Sequence, residues 1–319
     1  MDVLSDVLNT VRLQSAIRFC STLRAPWGVG FPSQSDRAVF YMVSRGNCYL
    51  EVDGLGSPVS MVGGDLVMLP HGTAHTLRDR LQSLIVPAEV LQKIHESGES
   101  GAVQHDGAVE TSAIVSGYFM FESQATNFFF ATLPELIHIR FEEGHTVPWL
   151  NETLKFLAAE LASDVPGAQI IMTRLADVLL IQILRAFISR QVKEGNSCNE
   201  QAGILRALVD PQLGRALALI HEKPAHPWTV AELASDVGLS RTGFAVRFAK
   251  VAGIAPLEYV RKWRMLKAGE LLRQGKDNVE EIAMRIGYES GAAFSQAFKR
   301  EIGVAPGHYR KAASPVDAR

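Results

Sequence analysis

Two short segments near the C terminus combine paired phenylalanines with basic side chains. In each segment the phenylalanines are four residues apart, which places both rings on one face of a helix and the basic residues on other faces. The residues are Phe244 and Phe248 with Arg241, Arg247 and Lys250, and then Phe294 and Phe298 with Lys299 and Arg300. Lysine and arginine on a solvated helix face bind phosphate groups, so both segments are candidates for contact with a polyanion.

The distribution of charge supports a polyanion-binding surface in the C-terminal part of the chain. The whole sequence has 32 Lys and Arg against 34 Asp and Glu, a formal net charge of −2. Residues 1–209 hold 15 basic and 22 acidic residues, or −7, whereas residues 210–319 hold 17 and 12, or +5. A surface that attracts nucleic acid is therefore expected after residue 209.

The two segments belong to an internal repeat. The stretch that begins at Thr229 recurs at an offset of 49 residues, which becomes 50 after one inserted residue. Each copy has the pattern of a helix that ends at a glycine, followed by a second helix that begins at a serine, as in a helix-turn-helix unit. The matching pairs include Gly238 and Gly287, Ser240 and Ser290, Phe244 and Phe294, Phe248 and Phe298, Pro256 and Pro306, and Tyr259 and Tyr309.

A longer helical pattern separates the two copies. It begins at Pro256, which suits a first helical position, and continues through Tyr259, Trp263, Leu266 and Leu271. Such a helix would act as a rigid spacer, so that the second helix of each copy enters the major groove of one DNA segment, about 34 Å apart. An all-helical repeat that binds another protein is the alternative.

The repeat resembles the DNA-binding domain of the AraC/XylS family of transcription regulators, over residues 211–312. The resemblance implies seven helices, recognition helices near 240–251 and 290–301, and double-stranded DNA as the partner, with RNA polymerase as a further candidate. The motifs that carry it are Trp228-Thr-Val-Ala-Glu-Leu-Ala, Ser240-Arg241, Gly287-Tyr288-Glu289-Ser290, Phe294-x-x-x-Phe298-Lys299 and Gly303-x-x-Pro306-x-x-Tyr309-Arg310.

The resemblance also implies which side chains meet DNA. The family's base-reading positions correspond to Thr242, Ala245 and Val246 in the first copy and to Gly291, Ala292, Ser295 and Gln296 in the second. Because Val246 and Gln296 stand where members often carry arginine, Arg241, Arg247 and Gln296 are the expected polar readers. The remaining residues expected at the DNA are Ser240, Lys250, Ser290, Lys299 and Arg300.

Short strand patterns dominate residues 1–147. Apolar runs occur at Val39–Val43, Cys48–Val52 and Leu66–Leu69, and the runs Ala113–Phe121 and Asn127–Ala131 continue the series. Closely spaced short strands favour a barrel or sandwich. The segment from Gly64 to His75 is similar to the second motif of cupin barrels, and the hairpin from Phe40 to Glu51 resembles the first. This resemblance implies a cupin-like β-barrel that senses an unidentified small-molecule effector.

The cupin motif supplies the candidates for the effector pocket. Its glycines and proline predict a tight turn after which His75 faces the interior. His71 and His75 are also candidate ligands for a divalent metal such as zinc, although Tyr41 stands where related sensors often have histidine, and a third ligand would have to be His138 or His145. Histidines satisfied by hydrogen bonds are the alternative, and a metal-dependent cupin enzyme is the rival function. The pocket candidates are Tyr41, Cys48, His71, His75 and Ser116.

A helical hairpin is expected at residues 148–190, between the two domains. Leucines at helical spacing run from Leu150 to Leu161, Val165-Pro166-Gly167 interrupts the pattern, and residues 170–188 resume it with apolar side chains almost all round. Such a helix is either packed in the core or paired with a second copy, and the family resemblance favours a homodimer. Residues 191–210 then form the interdomain linker.

The three cysteines fit neither a zinc pattern nor a disulfide framework, which favours a reducing cytoplasm. Some related regulators sense oxidants through a cysteine just before the glycine that corresponds to Gly117, and this chain has Ser116 there. Cys48 is expected to be a buried hydrophobe, and Cys198 an exposed thiol.

No signal peptide or membrane span is expected. The expected fold is α+β and multidomain, with a cupin-like barrel, a helical hairpin and an all-α double helix-turn-helix.

Overall fold

The computed structural model describes residues 2–11, 13–89, 111–121, 129–140, 150–161, 165–194 and 203–313. The chain divides into two compact units. One consists of residues 14–120 and 134–193, and the other of residues 1–13, 121–133 and 194–319. We call the first the sheet unit and the second the helical unit. Among the described residues, no helix is both long and apolar enough to cross a bilayer.

Ten strands are described. They are β1 (Leu13–Arg24), β2 (Gly28–Phe31), β3 (Arg37–Arg45), β4 (Asn47–Val52), β5 (Val59–Val62), β6 (Leu66–Leu69), β7 (His75–Arg78), β8 (Val86–Pro87), β9 (Thr111–Phe121) and β10 (Ile137–Ile139). They make two five-stranded sheets, in the orders β1-β9-β3-β6-β10 and β5-β4-β7-β2-β8. The strands predicted at 39–43, 48–52, 66–69 and 113–121 are confirmed.

The two sheets bury one apolar core between them. Alternate residues of β3 point into this core because side chains alternate along a strand, and they meet alternate residues of β4, β6 and β9. Phe40, on the opposite face of β3, is also fully buried and stacks on Phe119 at 5.1 Å between ring centroids. Central strand β3 is therefore covered on both faces, which explains its nearly continuous apolar sequence.

The sheet unit contains a helical hairpin where one was expected at residues 148–190, although its second helix continues to Glu194. It consists of α2 (Leu150–Leu161) and α3 (Ala168–Glu194), with a left-handed Gly167 between them. Ser15 on β1 donates a hydrogen bond to Asp177 of α3 at 2.6 Å. The inner face of α3 is fully buried, with Leu179, Ile183 and Leu184 at its centre.

The helical unit contains α1 (Val3–Thr10), α4 (Ile204–Val209), α5 (Pro211–Glu222), α6 (Val230–Asp236), α7 (Arg241–Ala252), α8 (Pro256–Gln274), α9 (Val279–Arg285), α10 (Gly291–Ile302) and α11 (Pro306–Ala313). The seven helices implied for residues 211–312 are all present. The run 127–131, expected to be strand-like, differs: Phe129 and Phe130 lie in a helical turn and are fully buried in this unit.

Helix α1 packs on α5 and α8, which the sequence did not indicate. Asp6 accepts a hydrogen bond from His221 Nδ1 at 2.9 Å, and His221 Nε2 accepts one from the Tyr259 hydroxyl at 2.7 Å. At the other end of α1, Arg273 donates to the carbonyl oxygen of Thr10 at 2.8 Å. The N-terminal helix is thus a structural part of the helical unit.

His221 makes the stability of the helical unit depend on pH. Burial lowers its pKa, although the Asp6 carboxylate acts in the opposite direction. The unfolded chain therefore binds the proton more readily, and the free energy of unfolding should fall as the pH drops below about 6.5. In urea denaturation followed by circular dichroism at about pH 7.5 and about pH 5.5, His221→Gln should weaken this dependence.

The exposed His308 on α11 provides the matched control. His308→Gln should retain the pH dependence of the unaltered chain, because this exposed side chain takes no part in the buried contacts of His221. A His221→Gln variant whose unfolding free energy changes with pH as much as that of the unaltered chain would contradict the assignment to His221.

Candidate DNA-binding surface and sensor core

The first helix-turn-helix consists of α6 and α7. Thr229 caps α6 by accepting from the Glu232 backbone N–H at 3.1 Å, and Ser240 caps α7 by accepting from the Gly243 N–H at 3.1 Å. Gly238 takes a left-handed conformation in the turn between the helices. The predicted capping by Ser240 is confirmed, and α7 covers the expected recognition helix.

The second helix-turn-helix consists of α9 and α10. Asn278 and Glu281 form a reciprocal capping box at the start of α9, with hydrogen bonds of 2.8 and 2.9 Å. Gly287 in the turn has a φ of +81°, and a Cβ there would lie 2.3 Å from the carbonyl oxygen of Ala225. Glycine is required at this position because the backbone is left-handed and has another backbone against it.

The same aromatic arrangement closes both copies. In the first, Phe248 lies 5.6 Å from Phe244 and 6.1 Å from Tyr259. In the second, the distances between the corresponding ring centroids are 5.4 Å in both pairs, Phe294–Phe298 and Phe298–Tyr309. The four phenylalanines are fully buried, which leaves the opposite faces of α7 and α10 to solvent.

Helix α8 joins the two copies through one half-buried guanidinium. Arg264 donates to the carbonyl oxygens of Pro224 at 2.7 Å, His226 at 2.8 Å and Gly287 at 3.3 Å. The first two carbonyls precede α6, and the third belongs to the turn of the second copy. Burial lowers the pKa of Arg264, yet a guanidinium stays charged, so these three bonds are charge-assisted.

Most of the residues expected at the DNA lie on the open faces of the recognition helices. Arg241, Thr242, Val246 and Lys250 are exposed on α7, and Ala292, Gln296, Lys299 and Arg300 are exposed on α10. Ala245 and Ser295 are partly buried beside them. Ser240 and Ser290 are the N-caps of the two helices, so their hydroxyl oxygens accept backbone hydrogen bonds in the first turn of each helix.

Two of the expected base contacts do not fit their surroundings. Arg247 donates to Asp210 Oδ2 and Gln212 Oε1, both at 2.6 Å, so its partly exposed guanidinium is bonded to the start of α5. Gly291 is buried and donates its N–H to Glu280 Oε2 at 2.8 Å. Having no side chain, it cannot extend past that carboxylate to a base. Within the helical unit, these contacts hold Arg247 against the start of α5 and Gly291 against α9.

In the sheet unit, His75 lies in the interior as predicted. Its Nδ1–H donates to the Thr73 carbonyl oxygen at 2.6 Å, and its Nε2 accepts from the Tyr41 hydroxyl at 2.7 Å. The ring stacks on Phe31 at 4.9 Å between centroids. Burial lowers the pKa of His75, so the imidazole is neutral at pH 7.

The zinc alternative does not fit this geometry. Both ring nitrogens of His75 are occupied by protein groups, and His138 Nε2 lies 3.1 Å from the buried Asp65 carboxylate. Within the described ranges, no three His, Cys, Asp or Glu side chains are grouped as metal ligands. The other candidate third ligand, His145, lies outside the described residues. Among the described residues, the donor set therefore lacks what a zinc site requires.

Of the other pocket candidates, Cys48 and Ser116 are buried and His71 is only partly buried; Cys48 is a free thiol. Burial, aided by the Asp65 carboxylate, raises the pKa of Cys48 to about 12, so it is not an active nucleophile at neutral pH. Ser116 lies opposite Tyr41 on β9. Its buried hydroxyl, like the Trp27 indole N–H that the sequence did not single out, has no hydrogen-bond partner among the described residues. Cys198 lies outside the described residues.

A two-sheet unit and a double helix-turn-helix define a transcription regulator of two parts. Residues 2–189 match the family model described as Cupin, and residues 233–312 match the one described as Helix-turn-helix domain. The chain is 34% identical to an AraC-like transcription regulator of Streptomyces lividans, over 98% of each chain. It belongs to the AraC-like transcription regulators.

Further relatives extend this comparison. The HTH-type transcriptional regulator AlkR of Acinetobacter baylyi is 29% identical, over 98% of this chain and 99% of its own. A crystal structure of the DNA-binding domain of AdpA in complex with a target DNA is 34% identical and covers 32% of this chain and 92% of that chain, with a TM-score of 0.31.

The Tyr41–His75 pair should stabilise the sheet unit measurably. Tyr41→Phe removes the hydroxyl that donates to His75 and leaves a buried nitrogen without that donor, which should cost about 1–3 kcal/mol in free energy of unfolding. Tyr49→Phe, at a partly buried position on β4, is the matched control and should cost less. Equal losses in urea denaturation would show that the hydrogen bond contributes no more than an ordinary tyrosine hydroxyl.

Proposed function

We propose that this chain is an effector-responsive regulator that binds double-stranded DNA through α7 and α10. The observation that carries the proposal is the repetition of one helix-turn-helix, with the same aromatic packing in both copies and with the two copies joined by Arg264. Phosphate contacts come from cations on the open faces, namely Arg241 and Lys250 on α7 and Lys299 and Arg300 on α10.

Binding should depend on salt in the manner of phosphate contacts. With a site selected from a random DNA pool, the logarithm of the affinity should fall linearly with the logarithm of salt concentration. Lys250→Gln should reduce the magnitude of that slope by about one, because one cation fewer then displaces counterions. Fluorescence anisotropy at several salt concentrations measures both quantities.

Lys155 on α2 offers a matched control, since it is a solvated lysine of the sheet unit, paired with Glu152. Lys155→Gln makes the same change in net charge and should leave the slope unaltered. Failure of the full chain to select any DNA site would contradict the proposal and favour a repeat that binds protein.

We further propose a homodimer formed through the hairpin. Ile171, Val178 and Ile181 lie along one stripe of α3, and the first two are exposed by 48% and 43% although they are large and apolar. On α2, Phe156 is exposed by 66%. A second copy that covers these side chains would remove the apolar surface from water.

A charge in the stripe should dissociate the dimer. Val178→Asp places a carboxylate at the proposed interface, so the chain should sediment as a monomer at concentrations where the unaltered protein is a dimer. Val62→Asp changes a comparably exposed valine on β5 and should leave the dimer intact. A monomeric unaltered chain, or equal effects of both substitutions, would contradict this interface.

The effector is proposed to bind in the interior of the sheet unit. Support comes from the unpartnered hydroxyl of Ser116 and indole N–H of Trp27, because buried polar groups without partners are rare in folded proteins. A ligand that satisfies them would bias how the two DNA-binding units of a dimer occupy their half-sites. Identical footprints with and without a ligand found by binding screens would contradict this coupling.

The remaining parts of the proposal follow from this role. Because the interior histidines do not form a ligand set for a catalytic metal, regulation without catalysis is favoured over a metal-dependent cupin enzyme. A regulator of transcription acts on the chromosome, so we assign the chain to the cytoplasm and name RNA polymerase as a candidate partner.

A further inference from the structure

The open face of α7 has an unusual composition for a surface that meets DNA. Thr242, Ala245, Val246 and Ala249 have the i, i+3, i+4, i+7 spacing of one helical stripe, opposite the buried Phe244 and Phe248. Thr242, Val246 and Ala249 are exposed, and Val246 is exposed by 63%. All four side chains end in methyl groups, and the hydroxyl of Thr242 is the stripe's single polar group. We call these four residues the methyl stripe.

Cations border the methyl stripe but do not lie on it. Arg241 precedes it at the start of α7 and Lys250 follows it, where both can contact phosphates. The guanidinium of Arg247 is held by Asp210 and Gln212 at 2.6 Å each. The guanidinium of Arg247, the neighbour of Val246 in the sequence, is therefore already bonded to residues at the start of α5.

The equivalent face of α10 is polar. An offset of 50 residues matches the methyl stripe to Ala292, Ser295, Gln296 and Lys299. The amide of Gln296 is exposed and can form two hydrogen bonds with adenine. The two recognition helices therefore offer different chemistry to the major groove, although their buried faces are alike.

The major groove contains one apolar group on its base edges, the 5-methyl group of thymine. A face of methyl groups gains free energy by burying that group, whereas it leaves the donors and acceptors of guanine and cytosine without partners. We propose that the methyl stripe recognises thymine methyl groups, with Val246 as the central contact. The inference rests on DNA binding by α7, and it names the base chemistry that α7 prefers.

The test removes single methyl groups from DNA. A site selected from a random pool by the full chain is synthesised with each thymine in turn replaced by deoxyuridine, which pairs identically and keeps the same hydrogen-bonding groups. At one or two positions, all in the half-site bound by α7, affinity should fall about fourfold, the effect of one buried methyl group.

Two variants assign the effect to a side chain. In Val246→Ala, the thymine and deoxyuridine forms of the sensitive position should bind with affinities within about twofold of each other, because the contacting methyl groups are gone. Gln296→Ala, the control on the other recognition helix, should weaken binding but keep the fourfold difference. Both side chains are exposed, and circular dichroism verifies that the variants fold.

The outcomes separate the two levels of the proposal. If no DNA site is selected, DNA binding itself fails. If a site is selected but no thymine is sensitive to loss of its methyl group, only the methyl stripe is refuted. If Val246→Ala still loses the full fourfold affinity when the thymine methyl group is removed, the assignment to Val246 is wrong. If Val246→Ala binds DNA with unchanged affinity, as expected for an α7 face that contacts protein, the assignment is also wrong.

Discussion

The three hydrogen bonds of Arg264 are the constraint on which the DNA-binding half of the protein depends. One guanidinium on α8 binds two carbonyls before the first helix-turn-helix and one in the turn of the second. A charged group surrounded by backbone acceptors is costly to displace, so the two copies keep one relative arrangement. The identical Phe-Phe-Tyr packing then determines which face of each recognition helix is buried and which is open.

The N-terminal helix extends this arrangement. Its Asp6 reaches Tyr259 of the first copy through His221, and its Thr10 carbonyl reaches Tyr309 of the second copy through Arg273. Tyr259 and Tyr309 are the equivalent tyrosines of the two copies, and each packs against the phenylalanines of its own copy. Helix α1 is therefore linked to the same position in both copies. Residues at the beginning of the sequence therefore contribute to the packing of helices near its end, an arrangement that a division of the chain into consecutive domains does not anticipate.

In the sheet unit, by contrast, the central polar interaction is a hydrogen bond between two uncharged side chains. Tyr41 and His75 satisfy one another where a metal-binding cupin would need free imidazole nitrogens. Ser116 and Trp27 also place buried polar atoms in this unit, and those atoms have no hydrogen-bond partner among the described residues. The similar proteins that match this chain over nearly its whole length are transcription regulators.

The sequence by itself determined the elements that local patterns encode. The strands, the hairpin and the capped helices of the two repeat copies follow from periodicity, glycine turns and serine caps, which act over a few residues. The number of seven helices came instead from the family resemblance. The sequence could not decide which polar side chains are free, because that depends on contacts between distant residues: Arg247 meets Asp210, Gly291 lies against Glu280, and His75 meets Tyr41. Those contacts, together with the place of α1 and of Phe129 and Phe130 in the helical unit, were decided only by the tertiary structure, since packing overrides local preference wherever burial is large.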